Sequence, residues 1–139
     1  MGVAIDTNVL IALWNPDDTL NMSARNALDA SVSHGSLVVS APVYAELSSF
    51  PTRIESFLDK FLSDTEIRVD WEISEPIWRL AGRAYQQYST RRRKNGEGPR
   101  RILTDFLIGA HAAHNRLALL TLDTGLYRSA FPQLRILSA

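Results

Sequence analysis

Four acidic residues carry the chemistry that this sequence offers. Asp6 ends the apolar run Val3–Ile5, and Glu46 lies in the first turns after the run Leu37–Ser40. Asp105 opens an apolar helical segment, and Asp123 lies just beyond the run Leu117–Thr121. Brought within a few ångströms of one another, four carboxylates repel, and some must take up protons unless a cation compensates. The chain has no cysteine and only three histidines. Thiolate metal sites and a cysteine nucleophile are therefore excluded, and all-oxygen ligation is expected, which suits Mg²⁺ or Mn²⁺. A hard divalent ion held by carboxylates can lower the pKa of a bound water, neutralise a phosphoryl oxygen and orient an in-line attack. That is the chemistry of phosphodiester hydrolysis. Each acid also falls at or near an expected helix N-terminus, where the macrodipole and free N–H groups favour it. Capping is the weaker account for Glu46, because Pro42 sets it deeper in its helix. Spacing alone leaves both accounts open.

The elements that must position these acids alternate short apolar runs with longer helical periodicities, the pattern of an α/β fold on a mostly parallel sheet. Strands are expected at Val3–Ile5, Leu37–Ser40, Ile67–Val69, Leu117–Thr121 and Arg135–Leu137. Helices are expected at Thr7–Trp14, from about Leu20 to Val32 with Gly35 as its stop, and from Pro42 through Phe50. After Pro51 another helix carries Ile54, Phe57, Leu58, Phe61 and Leu62 on its apolar side. Ser74 is a good N-cap for the longest helix, where Ile77, Leu80, Ala81, Ala84, Tyr85 and Tyr88 recur at three- and four-residue intervals. A loop is expected from Arg91 to Arg101, broken by Gly96, Gly98 and Pro99. Helices from about Leu103 to His114 and near Gly125–Ala130 complete the set. In an open parallel sheet the carboxyl ends of the strands share one edge, and ligands collect there. Acids distant in sequence can meet at that edge. The expected architecture is a three-layer α/β sandwich around a central parallel sheet of four or five strands.

At 139 residues, 45% of them hydrophobic, the chain suits a single domain spanning residues 1–139 and argues against disorder. Fifteen basic and fifteen acidic residues cancel, so only the distribution of charge is informative. Six of the fifteen basic residues (Arg91, Arg92, Arg93, Lys94, Arg100 and Arg101) fall within positions 91–101, against one acid, Glu97. An acidic pocket repels the polyanion it would cut, and a neighbouring cationic segment would hold RNA by phosphate neutralisation, without sequence choice. A solvated, mobile loop explains the same run equally well. No aromatic lies within it, which argues against base stacking there. His111 and His114, three apart on an apolar helix, are better read as packing or surface residues than as ligands. Trp14, Phe50, Phe57 and Phe61 are candidates for a docking surface, but such aromatics are more often core. The apolar stretch from Met1 to Trp14 is interrupted by Asp6 and closed by Asp17 and Asp18, short of the roughly 20 residues of a membrane span. It also lacks the features of a secretory signal, so no membrane association and a cytoplasmic location are expected.

The local sequences around the acids add a resemblance. Val3-Ala4-Ile5-Asp6-Thr7-Asn8-Val9-Leu10-Ile11-Ala12 resembles the N-terminal motif of PIN domains, a short strand followed by Asp-Thr/Ser-Asn/Ser and an apolar helix. Ser40-Ala41-Pro42-Val43-Tyr44-Ala45-Glu46-Leu47 resembles the family's second motif, built around a glutamate. Thr104-Asp105-Phe106-Leu107-Ile108-Gly109-Ala110-His111-Ala112 is similar to the third, and Leu119-Leu120-Thr121-Leu122-Asp123 to the fourth. Each motif is weak alone, but the ordered set covers nearly the whole chain, and its length resembles that of the VapC-type toxins of toxin–antitoxin pairs. The resemblance implies a small metal-dependent endoribonuclease, held inactive by a cognate antitoxin and expected as a homodimer. It implies that Asp6, Glu46 and Asp105 hold the principal Mg²⁺ or Mn²⁺, directly or through water, and that Asp123 completes the pocket or assists a second ion. Thr7 and Thr121 become candidates to orient a carboxylate or water, although a turn hydrogen bond or strand propensity explains either threonine as well. The alternatives are an RNA-binding or housekeeping PIN domain and an aspartyl-nucleophile phosphatase. Against the phosphatase stands Asn8, where that chemistry needs a second aspartate.

Overall fold

The computed structural model describes residues 2–98 and 100–139. Pro99, read from the sequence as a breaker, lies outside them. In chain order the elements are β1 (Val3–Ile5), α1 (Thr7–Trp14), α2 (Asn21–Ser31), β2 (Leu37–Ser40), α3 (Ala41–Ser48), α4 (Glu55–Asp64) and β3 (Ile67–Asp70). They continue with α5 (Glu75–Lys94), α6 (Leu103–His114), β4 (Ala118–Thr121), α7 (Thr124–Ala130) and β5 (Ile136–Ser138). A short 3₁₀ turn at Val32–His34 ends on Gly35.

The strands form one five-stranded sheet in the order β3-β2-β1-β4-β5, and every pairing is parallel. Every residue of β1, β2 and β4 is buried, whereas the edge strands β3 and β5 are partly open. This is why the central strands read as unbroken apolar runs: a parallel strand is covered on both faces. From β1 the chain moves through β2 to β3 on one side, then returns to place β4 and β5 on the other. Right-handed crossovers in opposite directions put α1–α4 on one face and α5–α7 on the other. Within the first group α1 meets α2 and α3, and α3 meets α4; α5, α6 and α7 meet one another, and α3 also meets α6 across the two groups. The reversal between β1 and β4 opens a crevice at their carboxyl ends.

Helix α6 is the core helix of its layer, buried from Phe106 through Ala112. Gly109 is required there by close approach. A Cβ at that position would stand 2.2 Å from Cε2 of Phe131, whose ring is itself buried. Gly109→Ala is therefore expected to lower stability by about 1–3 kcal/mol through overpacking, although alanine is the better helix former by about 1 kcal/mol. Urea unfolding measures this, and a more stable variant would mean that the Phe131 ring yields freely.

Several boundaries differ from the sequence reading, each for a physical reason. Residues Arg91 to Lys94 are the last turn of α5 and not loop. Arginine and lysine are good helix formers, and cations at a C-terminal turn complement the helix dipole. The helix breaks instead at Asn95-Gly96, where Gly96 takes a left-handed φ of 72°. Ser74 occupies the N-cap of α5, but its side chain makes no capping bond. Pro76, at the second helical position, has no N–H to offer it. Helix α3 stops at Ser48 before reaching Phe50, as expected ahead of Pro51. Ile54 is the N-cap residue of α4 and is exposed, not on its apolar side. Trp14 meets Phe50, Phe57 and Phe61 edge-on at 5.7, 5.6 and 5.3 Å between ring centroids. These four half-buried rings make a satellite cluster, with the Arg53 guanidinium 4.7 Å from the Phe57 ring centre.

Candidate active site at the carboxyl edge of the sheet

The crevice between β1 and β4 is built by the residues that leave those strands. Asp6, immediately after β1, is the N-cap of α1, and its Oδ1 accepts the Thr7 N–H at 2.8 Å. Its Oδ2 accepts the Thr121 hydroxyl, also at 2.8 Å. The same Thr121 oxygen accepts the Asp123 N–H at 2.9 Å. One hydroxyl thus ties the ends of β1 and β4 together across 115 residues. The Thr7 hydroxyl turns the other way and donates to Glu46 Oε1 at 2.6 Å, linking the first turn of α1 to α3. Asn8 completes the lacing, its Oδ1 accepting the Leu122 N–H at 3.2 Å. The three residues Asp6-Thr7-Asn8 therefore tie two other segments to the crevice, the end of β4 and helix α3.

The electrostatics show how crowded it is. Asp6 is 5% exposed, and burial pushes its carboxyl up to about 6, against hydrogen bonds from Thr121, Tyr127 and Thr7, with the charge of Asp105 adding to the rise. Asp105, in the first turn of α6, is also raised above the ordinary carboxylate range. Burial is the main cause; the Ile102 N–H and the Arg101 charge oppose it, and the charge of Asp123 adds to it. The Tyr127 hydroxyl, on α7, is buried and makes no hydrogen bond of regular geometry. Burial pushes this phenol well up, and the charges of Asp6, Asp105 and Asp123 reinforce the rise. Three carboxylates from three segments thus act on one another and on one buried phenol.

All four acids already have partners in the fold, Asp6 on both oxygens and Asp105 from the Ile102 N–H. Glu46 accepts from Thr7, and Asp123 forms an ion pair with Arg101. Among the described residues no three acids or histidines stand close enough to enclose one ion. The donor chemistry nevertheless fits a hard divalent cation. The oxygens are carboxylate and hydroxyl, Asp6 is held ionisable only with difficulty, and the buried phenol oxygen has no regular partner. Asp6, Asp105 and Asp123 share the crevice, and Glu46 joins it through Thr7.

The basic residues divide in the structure. Arg101 reaches Asp123, whereas Arg91, Arg92, Arg100 and Arg101 line a common cavity with Tyr88. Arg93 and Lys94 are exposed in the last turn of α5 and do not line it. His111 is buried, its Nε2 lying 2.9 Å from Oδ2 of Asp70 at the end of β3, while His114 is exposed. The Arg101–Asp123 pair and Tyr127 escape sequence reasoning. For Tyr127 a signal exists: it lies four residues after Asp123 on the helix that Asp123 caps, a spacing that shares one face.

A sequence model described as "PIN domain" matches residues 3–132. No curated protein matches the chain by sequence. Among solved structures, the chain is similar to one described as VapBC2 from Rickettsia felis bound to a DNA fragment from their promoter, with 24% identity and a TM-score of 0.66 over 99% of this chain and 98% of that one. It is similar to VapBC-1 from nontypeable Haemophilus influenzae, at 22% identity and a TM-score of 0.70 over 99% and 98% of the two chains. A toxin–antitoxin complex from Klebsiella pneumoniae is similar at 20% identity and a TM-score of 0.67, over 98% and 96%. At such identities the likeness is one of fold.

Proposed function

The chain belongs to the PIN-domain family, and from that premise we propose that it is a divalent-metal-dependent endoribonuclease, the toxin of a toxin–antitoxin pair. What supports the nuclease reading is that the charges of Asp6, Asp105 and Asp123 all act on the buried Tyr127 hydroxyl, with Glu46 laced to the neighbour of Asp6 through Thr7. These four carboxylates would hold Mg²⁺ or Mn²⁺. The ion supplies charge for a phosphoryl oxygen and a lowered pKa for water. Thr121 fixes the orientation of Asp6, and Thr7 that of Glu46, so neither carboxylate has to be ordered when substrate arrives. Asp6 must be ionised to act as a ligand, which its raised pKa makes harder below about pH 6. Water oxygen joins phosphorus as the P–O3′ bond breaks, and the proton lost from water balances the one gained by the departing O3′. The products are a 5′-phosphate and a 3′-hydroxyl.

The toxin assignment draws on the solved structures of similar fold, one of which is described as a toxin–antitoxin complex and two by VapBC names. A cognate antitoxin and a second copy of the chain are the protein partners of this reading, and RNA, drawn by the basic residues Arg91 to Arg101, is the substrate. Cytoplasmic action suits it. No helix among the described residues is long and apolar enough to cross a membrane.

One observation favours a second reading, a non-catalytic or housekeeping RNA-binding PIN domain: Arg101 already neutralises Asp123, and no three donors enclose an ion. Cleavage of end-labelled RNA in Mg²⁺ or Mn²⁺, with and without EDTA, separates the two. The nuclease reading expects EDTA-sensitive cutting with 5′-phosphate ends. A cyclic phosphate product would refute attack by water, and absence of both cleavage and calorimetric metal binding would leave the RNA-binding reading.

A further inference from the structure

Beside the acidic crevice lies a cavity of about 210 Å³ between the end of α5, the loop after it and α7. Its lining includes Tyr88, Arg91 and Arg92 from α5, Arg100 and Arg101 from the loop, and Ser129 from α7. Four arginines from two chain segments therefore line one concavity. A run of charge on a single helix face is ordinarily just solvated, but this grouping is created by folding.

The charges are unequally matched. Arg92 is bound at 2.9 Å to Glu97 and at 2.8 Å to the Gly98 carbonyl, so it acts as a brace between helix and loop. Arg101 is paired with Asp123. Arg91 and Arg100 have no acidic partner among the described residues. Two of the arginines that line the cavity thus have no acidic partner among the described residues. The loop that carries Arg100 and Arg101 is also held in place. The Tyr88 hydroxyl accepts both their N–H groups, at 2.8 and 3.0 Å. Its ring packs 5.4 Å from that of Phe106, the buried neighbour of Asp105. Planar guanidinium forks in a fixed arrangement suit tetrahedral oxyanions, phosphate above all.

We propose that this cavity binds a phosphate group of the RNA chain beside the one that is cut, with Arg91 and Arg100 as its principal contacts. The identity of the polyanion rests on the nuclease reading; the cavity and its charge do not. Arg101 lies on the wall between the cavity and Asp123, so a strand held here runs directly past the carboxylates. The six basic residues of the sequence then have different duties. Arg91 and Arg100 contact phosphate, Arg92 shapes the loop, Arg101 faces both sites, and Arg93 and Lys94 contribute only long-range attraction.

The test measures binding of a short single-stranded oligoribonucleotide by fluorescence anisotropy, in EDTA, over a range of salt. The full chain is compared with two double variants that remove equal charge, Arg91→Gln with Arg100→Gln and Arg93→Gln with Lys94→Gln. The first pair is expected to weaken binding about tenfold or more and to flatten the log–log salt slope by roughly 1 to 2. The second pair should weaken it by no more than about threefold, as long-range attraction alone. Tyr88→Phe, which frees the two loop N–H groups, should reproduce part of the first effect. Carrying the probe with and without a 5′-phosphate distinguishes a terminal from an internal phosphate: a tighter 5′-phosphorylated probe assigns the cavity to the end group, equal binding to the internal phosphodiester. Equal losses in the two double variants would overturn the proposal in favour of diffuse attraction. Unchanged RNA binding in the first pair would also overturn it, and would leave the cavity to an acidic segment of a protein partner. Because no metal is present, failure here is separate from failure of the nuclease reading. A protein that cleaves RNA yet binds it equally well in all variants loses only the cavity. One that binds through Arg91 and Arg100 but never cleaves loses only the nuclease.

Discussion

Replacing Asp105 by Asn should reduce RNA cleavage by roughly 100-fold or more while leaving the fold intact. The two halves of this expectation have separate causes. Asn nearly preserves the shape of Asp105 but removes a charge that a divalent ion would need, and its amide nitrogen cannot serve as a ligand. Stability has no such dependence. Burial and the charge of Asp123 push the Asp105 carboxyl above its ordinary range, so its ionised form is disfavoured in the folded chain. A neutral side chain removes that repulsion. The one hydrogen bond Asp105 accepts in its helix turn, from the Ile102 N–H at 3.3 Å, can be taken over by the Asn carbonyl oxygen. Single-turnover cleavage and thermal unfolding, measured on the same preparation, read both halves. Lost cleavage at an unchanged or higher Tm assigns Asp105 to the chemistry. Equal cleavage by both proteins would mean that the activity resides elsewhere or in a contaminant.

Why Asp105 was legible in the sequence and its neighbour Arg101 was not shows where sequence reasoning stops. Asp6, Asp105 and Asp123 stand out because each lies at a change of local pattern, where an apolar run ends or an apolar helix begins, whereas Glu46 lies inside α3. The parallel sheet follows from the same runs, and α6 falls at Leu103–His114 as periodicity suggests. Thr7 and Thr121 were open to a bland account, yet their hydroxyls hold Glu46 and Asp6. Arg101 looks, in sequence, like one more cation in a basic run. Its pairing with Asp123 spans 22 residues and depends on how the loop folds back over α7, which no local pattern records. For Tyr127 the spacing from Asp123 is a local signal, but the charges of Asp6 and Asp105 are brought to it by other segments. The breakers Gly96, Gly98 and Pro99 mark a loop but not its first residue, and helix propensity with the dipole at a C-terminus carries α5 through Lys94 before the chain breaks.

Asp6 provides a second expectation, opposite in sign to the usual behaviour of a carboxylate. In the metal-free protein, stability should rise as pH falls from about 7 to about 4. The folded chain binds the Asp6 proton with a pKa of about 6, against 3.8 for the ordinary group. Between those values the folded state carries more protons than the unfolded one, so unfolding becomes harder as pH drops. Below the unfolded value no further gain accrues. Proton binding that much tighter in the folded state corresponds to roughly 3 kcal/mol across the window. Asp105 shifts in the same direction and should add to the slope. Asp70, held below its ordinary range with His111 as partner, acts in the opposite sense, but only as the pH falls towards and below 3.8. Urea unfolding in EDTA across this range measures the effect, and Asp6→Asn isolates it by flattening the profile and stabilising the fold near neutral pH. Adding Mn²⁺ should do likewise by another route: an ion that binds the ionised carboxylates stabilises the folded state most where Asp6 is charged. A wild-type profile in EDTA that is flat, or that falls with acidification above pH 4, would show that Asp6 lies in a wetter, better compensated crevice than its burial implies. A slope present in EDTA and removed by Mn²⁺ would identify the burial of the Asp6 carboxylate as the cost that metal binding offsets. The instability of the free crevice at neutral pH and its capacity to hold a cation would then have one cause, the burial of Asp6 among like charges.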